Sequence, residues 1–295
     1  MSLPLHLLIP LACAFLYVLA ALTLKRAASF GVGLWRTSFV ANWLMFLVFV
    51  PWAFTAGARL HPWGDYWQPA VTALCFLGGQ VLIFLALQLG DVSVTTPVMG
   101  VKVILVALFS SLLRVGEVPW KWWAGALLSA GAVVLLHAGE KHGRQRQVGL
   151  TVMLAFGSAA LYGLGDVLLQ KWVPSWGAGS YFPAMFLMVG LYSLAFVPFF
   201  HGPLWALNME SWRWVGTGGL IMAVNNAGIV LALGFWGGAT AVNIVYSARG
   251  LVSVALVWAI GHWFSNEEQQ LESRVLRSRL VGAGFMLAAI VLVLV

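Results

Sequence analysis

Long apolar stretches separated by short polar joints run the whole length of the chain. Ten of them are close to the roughly 20 residues that a helix needs to cross the hydrocarbon core of a bilayer. They fall at about 3–24, 34–56, 67–89, 91–113 and 119–138, then at about 148–170, 181–201, 213–236, 239–263 and 278–295. In lipid every backbone N–H and C=O must be satisfied within the protein, and a helix is the open-chain way to do so. The pattern therefore predicts an all-α membrane protein of ten transmembrane helices. The longest polar joints are GEKHGRQRQ at 139–147 and SNEEQQLESRVLRSR at 265–279.

The first of these joints divides the chain near its middle, and the two sides repeat one another. LYVLAALTLKR at 16–26 matches LYGLGDVLLQK at 161–171. FVP occurs at 49–51 and again at 196–198, a spacing of 147, and the same spacing relates Gly90 to Gly237, Ser93 to Thr240 and Lys102 to Arg249. Residues 1–138 and 148–295 thus read as two related five-helix repeats. Five is odd, so the second repeat enters the membrane from the opposite side. Inverted repeats of this kind are the architecture of many secondary transporters.

Composition sharpens the class. Apolar residues make up 61% of the 295 positions and charged residues 8%, which leaves no room for a soluble domain. Trp35, Trp52, Trp63, Trp67, Trp120, Trp122, Trp123, Trp172, Trp176, Trp205, Trp212, Trp214, Trp236 and Trp263 stand near helix ends, as an interfacial belt requires. The net charge of +7 comes from cations at the joints, where they meet headgroups, and implies no nucleic-acid partner. The start, MSLPLHLLIP, has no Lys or Arg ahead of its apolar run, so the first segment reads as a retained helix. Cys13 and Cys75 lie inside predicted helices and read as packing residues.

GDVSVTTPVMGVKVILVALFSSLLRVGE at 90–117, WWAGALLSAGAVVLL at 122–136 and RLVGAGFMLAAIVLVLV at 279–295 resemble the drug/metabolite transporter superfamily in its EamA-like, ten-helix branch. The resemblance spans nearly the whole chain, although the second half has no proline matching Pro97. It implies a carrier of small metabolites, and it leaves open whether the cargo is an amino acid, a sugar, a nucleotide sugar, a phosphorylated metabolite or a drug.

Lys102 and Arg249 are the sharpest chemical signal. Each stands near the middle of its predicted helix, where a cation costs several kcal/mol unless it faces a cavity or a partner. Asp166 is the one clearly intramembrane acid, so pairing with one cation leaves the other for an anionic group of the cargo. Asp166 could equally serve a structural ion pair or carry a coupled proton. Tyr162, with Ser158, Gly165 and Asp166, lies on one helical face, and Tyr246, Arg249 and Ser253 on another. Asn225 and Asn226 lie midway along the eighth predicted helix, with Gln80 opposite them in the repeat. These residues are candidates to line a substrate site or to tie helices together by hydrogen bonds.

The string Gly163-Leu164-Gly165-Asp166 resembles the GxGD of intramembrane aspartyl proteases. Asp65 and Asp91, at a joint and a helix edge, offer no mid-membrane second carboxylate for a shared-proton mechanism. No metal cluster or phosphate-binding loop is present in the sequence, so neither an enzyme nor a cofactor is expected. The expectation is a multi-pass protein of the cell membrane, a secondary transporter of a small metabolite carrying a carboxylate or phosphate. An exporter of neutral, amphipathic or lipid-like solutes is the alternative. Its partners would be the small-molecule substrate, the bilayer and a coupling proton or ion, with a homodimer left open. Orientation divides the signals. Ten cations on one side of the joints against Arg59, Arg114, Lys121 and Lys171 on the other place both termini outside, whereas the family resemblance implies both inside.

Overall fold

The computed structural model describes residues 5–54, 58–89, 92–136, 148–260 and 273–294. Their regular structure is entirely helical, with no strand among the described residues. Their α-helices are α1 (Leu8–Ser29), α2 (Leu34–Phe49), α3 (Trp67–Leu89), α4 (Val92–Met99), α5 (Lys102–Leu112), α6 (Trp120–Leu136), α7 (Val148–Trp176), α8 (Ala178–Tyr192), α9 (Met209–Trp236), α10 (Ala239–Tyr246), α11 (Arg249–Ile260) and α12 (Ser273–Leu294). Seven helical segments of the described residues are long and apolar enough to cross a membrane, and Trp120–Leu136 and Leu280–Leu294 are shorter apolar helices. The 139–147 joint lies outside the described residues.

Several boundaries depart from the pattern of apolar runs. The run at 34–56 is α-helical only to Phe49 and continues as a 3-10 helix, Val50–Phe54, and the run at 181–201 likewise becomes 3-10 over Ser193–Phe199. Both tails contain the repeated FVP string, whose proline lacks the N–H that an α-helix would use. In the other direction, α12 begins at Ser273, so the polar stretch SRVLRSR belongs to a helix rather than to a joint. Tight turns between the first two helices of each half rest on glycine. Gly31, between α1 and α2, has φ +74°, and Gly177, between α7 and α8, has φ +79°, values that a side chain with a Cβ adopts at a cost.

The largest corrections are at the predicted helices 91–113 and 239–263. Each is two segments. The first breaks at Gly100–Val101 between α4 and α5, and the second at Ser247–Ala248 between α10 and α11. Pro97 withholds a donor in the first, and the Gly100 and Val101 amides bond back to Pro97 and Val98, only three residues away. The second break has no proline. There the Ser247 hydroxyl donates to the Ile244 carbonyl, and the Ala248 and Gly250 amides bond three residues back, to Val245 and Ser247.

Helix packing crosses between the halves. α1 packs on α9, and α3 on α7; α2 packs on both α8 and α9, and α8 on α3; α6 packs on α12; α5 packs on α7 and on α10, and α1 on α10 and α11. Small residues permit the closest approaches. A Cβ on Gly228 would stand against Cys13 Sγ and one on Gly218 against Leu24, while Gly78 and Gly79 receive Leu161 and Tyr162. Close backbone approach is how helices gain van der Waals contact where lipid supplies no hydrophobic drive.

Candidate functional site

The two helix breaks place a cation each at the start of a second segment, because Lys102 opens α5 and Arg249 opens α11. Since α10 packs on both α5 and α1, and α1 also packs on α11, these starts face the first helices of both halves, α1 and α7. Lys102 Nζ lies 5.8 Å from the ring centre of Tyr162 on α7, and Arg249 Cζ lies 4.9 Å from that of Tyr17 on α1. Tyr17 and Tyr162 occupy the same position in the repeated strings LYVLAALTLKR and LYGLGDVLLQK. Each cation therefore rests over the matching tyrosine of the other half of the chain.

Beyond that common plan the two differ. Lys102 Nζ makes an ion pair with Asp166 Oδ2 at 2.8 Å, and the two side chains are 13% and 16% exposed, so both are largely withdrawn yet reachable. Asn243 Nδ2 donates to the same carboxylate oxygen at 2.8 Å. No carboxylate of a described residue ion-pairs with Arg249. Its guanidinium instead lies in the corner between two aromatic rings, 4.5 Å from the Tyr246 centre and 4.9 Å from that of Tyr17, the rings being 83° apart. Such contacts favour a cation but do not neutralise it.

The supporting residues fix these walls. Tyr246 is buried, and its hydroxyl donates to the Asn225 side-chain oxygen at 3.2 Å when the amide is oriented so that its nitrogen donates to the Cys13 carbonyl at 2.7 Å. Asn226 joins the cluster through Asn225, their side-chain polar atoms lying 3.0 Å apart. Tyr162 is held by Gly79, whose missing Cβ leaves space for the ring, and by an edge contact with Phe76.

The structure thus brings together Lys102, Asp166, Tyr162, Arg249, Tyr246 and Asn225. It assigns other polar candidates to packing. Ser158 donates to the Gly79 carbonyl, Ser253 to the Gly250 carbonyl, and Gln80 exchanges amide hydrogen bonds with Asn42 on α2. Two site residues were not among the sequence candidates. Tyr17 carried a signal, its match to Tyr162 in the repeated string. Asn243 carried only the weaker one of an amide within a predicted span. As for the protease string, Asp166 is engaged by Lys102 and Asn243. Asp65 stands ten residues ahead of Cys75, the residue packed against Gly165, and Asp91 lies outside the described residues. No group of three or more potential metal ligands occurs among the described residues.

Comparison with known proteins adds a likeness over part of the chain. Residues 3–138 match the EamA-like transporter family. A solved structure described only as a crystal structure of a protein superposes with a TM-score of 0.76, covering 99% of this chain and 98% of its own at 16% identity. At that identity the likeness concerns the fold alone. Comparison with curated proteins returns no match.

Proposed function

We propose that this integral membrane protein, whose residues 3–138 match the EamA-like transporter family, carries a small anionic metabolite by alternating access around Arg249. The observation that carries this reading is the placement of both mid-helix cations. Each opens the second segment of an interrupted helix and lies over the matching tyrosine from the opposite half. Interrupted helices meeting at the interface of two repeats are where secondary transporters bind cargo.

The same reading takes residues 1–138 and 148–295 as two inverted five-helix repeats, with α4 and α5 forming one span and α10 and α11 another. The packing supports this. Exchanging each helix for its counterpart turns α1 on α9 into α7 on α3, and α2 on α9 into α8 on α3. It returns α2 on α8 and α6 on α12 to themselves. Such exchange is what a two-fold axis in the membrane plane produces. The surrounding membrane is taken to be the cell membrane.

Arg249 is the residue assigned to the cargo. A guanidinium can hold a carboxylate or phosphate through two parallel hydrogen bonds. Tyr17 and Tyr246 wall the anion's approach, and Asn225 keeps Tyr246 in place. Lys102 and Asp166 form the neighbouring ion pair and tie the first half to the second. Uptake into proteoliposomes tests the assignment. Arg249→Gln is expected to reduce uptake about a hundredfold and Arg249→Lys about tenfold, since lysine keeps the charge but loses the fork. Arg114→Gln, at the end of α5, is expected to leave it unchanged. Unaltered uptake in Arg249→Gln at matched reconstitution would overturn the site. Orientation follows the loop charges, with the 139–147 joint cytoplasmic. A cysteine placed at His142 should resist a membrane-impermeant thiol reagent in intact cells, and ready labelling there would reverse the assignment.

A further inference from the structure

We infer that the site selects a cargo with one negative charge and no ammonium group, a simple monocarboxylate by chemical class. This rests on the reading of Arg249 as the anion-binding residue and narrows it from carboxylate or phosphate to a single valence. Three ionised side chains meet where the helices break: Lys102, Asp166 and Arg249. Two of them close on each other at 2.8 Å. Asn243 donates to the same Asp166 oxygen, so the carboxylate has a cation and an amide already in place. The other described acids lie away from the helix breaks: Asp65 in the turn before α3, Glu117 between α5 and α6, and Glu210 in the first turn of α9. Among the described residues the centre thus holds one positive charge in excess, on Arg249.

A monoanion neutralises that excess and leaves no charge unpaired. A dianion brings a second negative charge into a low-dielectric site whose only other cation is committed to Asp166. A zwitterion cancels nothing, because its ammonium enters beside Arg249 and Lys102 while the one acid is occupied. At the short separations set by this cluster, each unpaired charge weighs more than any single neutral hydrogen bond. The surroundings favour the same class. The rings of Tyr17 and Tyr246 meet at 83° around the guanidinium, so an anion gripping it has an apolar remainder lying against aromatic faces.

The pair also makes valence adjustable by mutation. Asp166→Asn frees Lys102 and raises the excess to two charges, which should suit a dianion. Lys102→Met combined with Asp166→Asn returns it to one. The test measures ligand-dependent thermal stabilisation and uptake competition in the purified full-length protein with matched probes at neutral pH. These are butyrate and octanoate, their 2-amino analogues, the dianions succinate and suberate, and inorganic phosphate. Wild type is expected to bind a monocarboxylate about tenfold or more tightly than its 2-amino or dianionic counterpart. Asp166→Asn is expected to shift preference toward the dianion by at least about tenfold, and the double variant to restore the wild-type order. Should Asp166→Asn fail to fold, the wild-type series and the double variant decide. Equal binding of monoanion and dianion in wild type, both lost in Arg249→Gln, would overturn the valence rule while keeping the anion site. Stabilisation by no anion, or stabilisation unaffected by Arg249→Gln, would remove the anion site itself.

Discussion

Lys102 and Arg249 are the same residue of a repeated unit by sequence spacing, and the fold gives them the same seat, yet their electrostatic situations are opposite. One is paired with a carboxylate at 2.8 Å and the other rests on tyrosine rings. One position of the two recurring strings parallels this difference. Aligning LYVLAALTLKR with LYGLGDVLLQK sets Ala21 on α1 opposite Asp166 on α7. Because the first helix of one half faces the broken helix of the other, the acid carried by the second half neutralises the cation of the first. The first half carries alanine there, and no carboxylate of a described residue ion-pairs with the second cation. The lesson is that a mid-membrane charge is read by what crosses from the other half, not by its own neighbours in sequence.

The strongest way to break this comparison is to remove the acid. Asp166→Ala leaves Lys102 buried without its partner and should cost about 3–5 kcal/mol of stability. Adding Lys102→Met should recover most of that loss, which denaturant titration in detergent would show. If Asp166→Ala alone is neutral, the ion pair does not hold the halves as described. The mirror-image change comes next. Ala21→Asp supplies Arg249 with the partner that Lys102 already has, and should lower anion binding about tenfold or more, read by ligand-dependent thermal shift. Undiminished binding would mean that α1 does not answer to α7 at this position.

Smaller effects sharpen the picture. Tyr246→Phe keeps the ring beneath Arg249 but takes the hydroxyl from the buried Asn225 amide. A loss of about 1 kcal/mol in stability is expected with anion binding largely retained, whereas Tyr246→Leu should weaken binding as well by removing the aromatic wall. The least change is expected from Pro97→Ala, less than about 1 kcal/mol by the same unfolding measurement. The break between α10 and α11 forms without proline, so amide hydrogen exchange at Gly100 and Val101 should remain faster than in the flanking helices. Protection rising there to the level of α5 would show that Pro97 alone makes the first break.

Much of the framework was legible before any coordinates. Apolar run length locates helices because the bilayer imposes a length and forbids unpaired backbone. Lys102, Arg249 and Asp166 stood out because a charge at that depth is costly. Helix ends were less legible. The FVP tails and the polar start of α12 kept the overall spans but changed the kind of helix or its first residue. The breaks at Gly100–Val101 and Ser247–Ala248 escaped notice because nothing in local apolarity changes there. They depend on backbone amides taking partners three residues back, as Val101, Ala248 and Gly250 do, while the Gly100 amide divides between Thr96 and Pro97.

The sequence by itself determined that this chain is helical and membrane-embedded and that three charges stand within its apolar runs, since each of these follows from solvation acting on residues one at a time. It could not say which cation Asp166 would take, that Tyr17 and Asn243 would join the cluster, or that Gln80 would turn instead to Asn42. Those outcomes are contacts between segments tens to more than a hundred residues apart. Only the packing of α5 and α10 on α7, and of α1 on α11, brings Lys102 and Asn243 to Asp166 and Tyr17 to Arg249. A hydrogen bond or an ion pair acts over about 3 Å, so its partner is decided by the fold rather than by the residue.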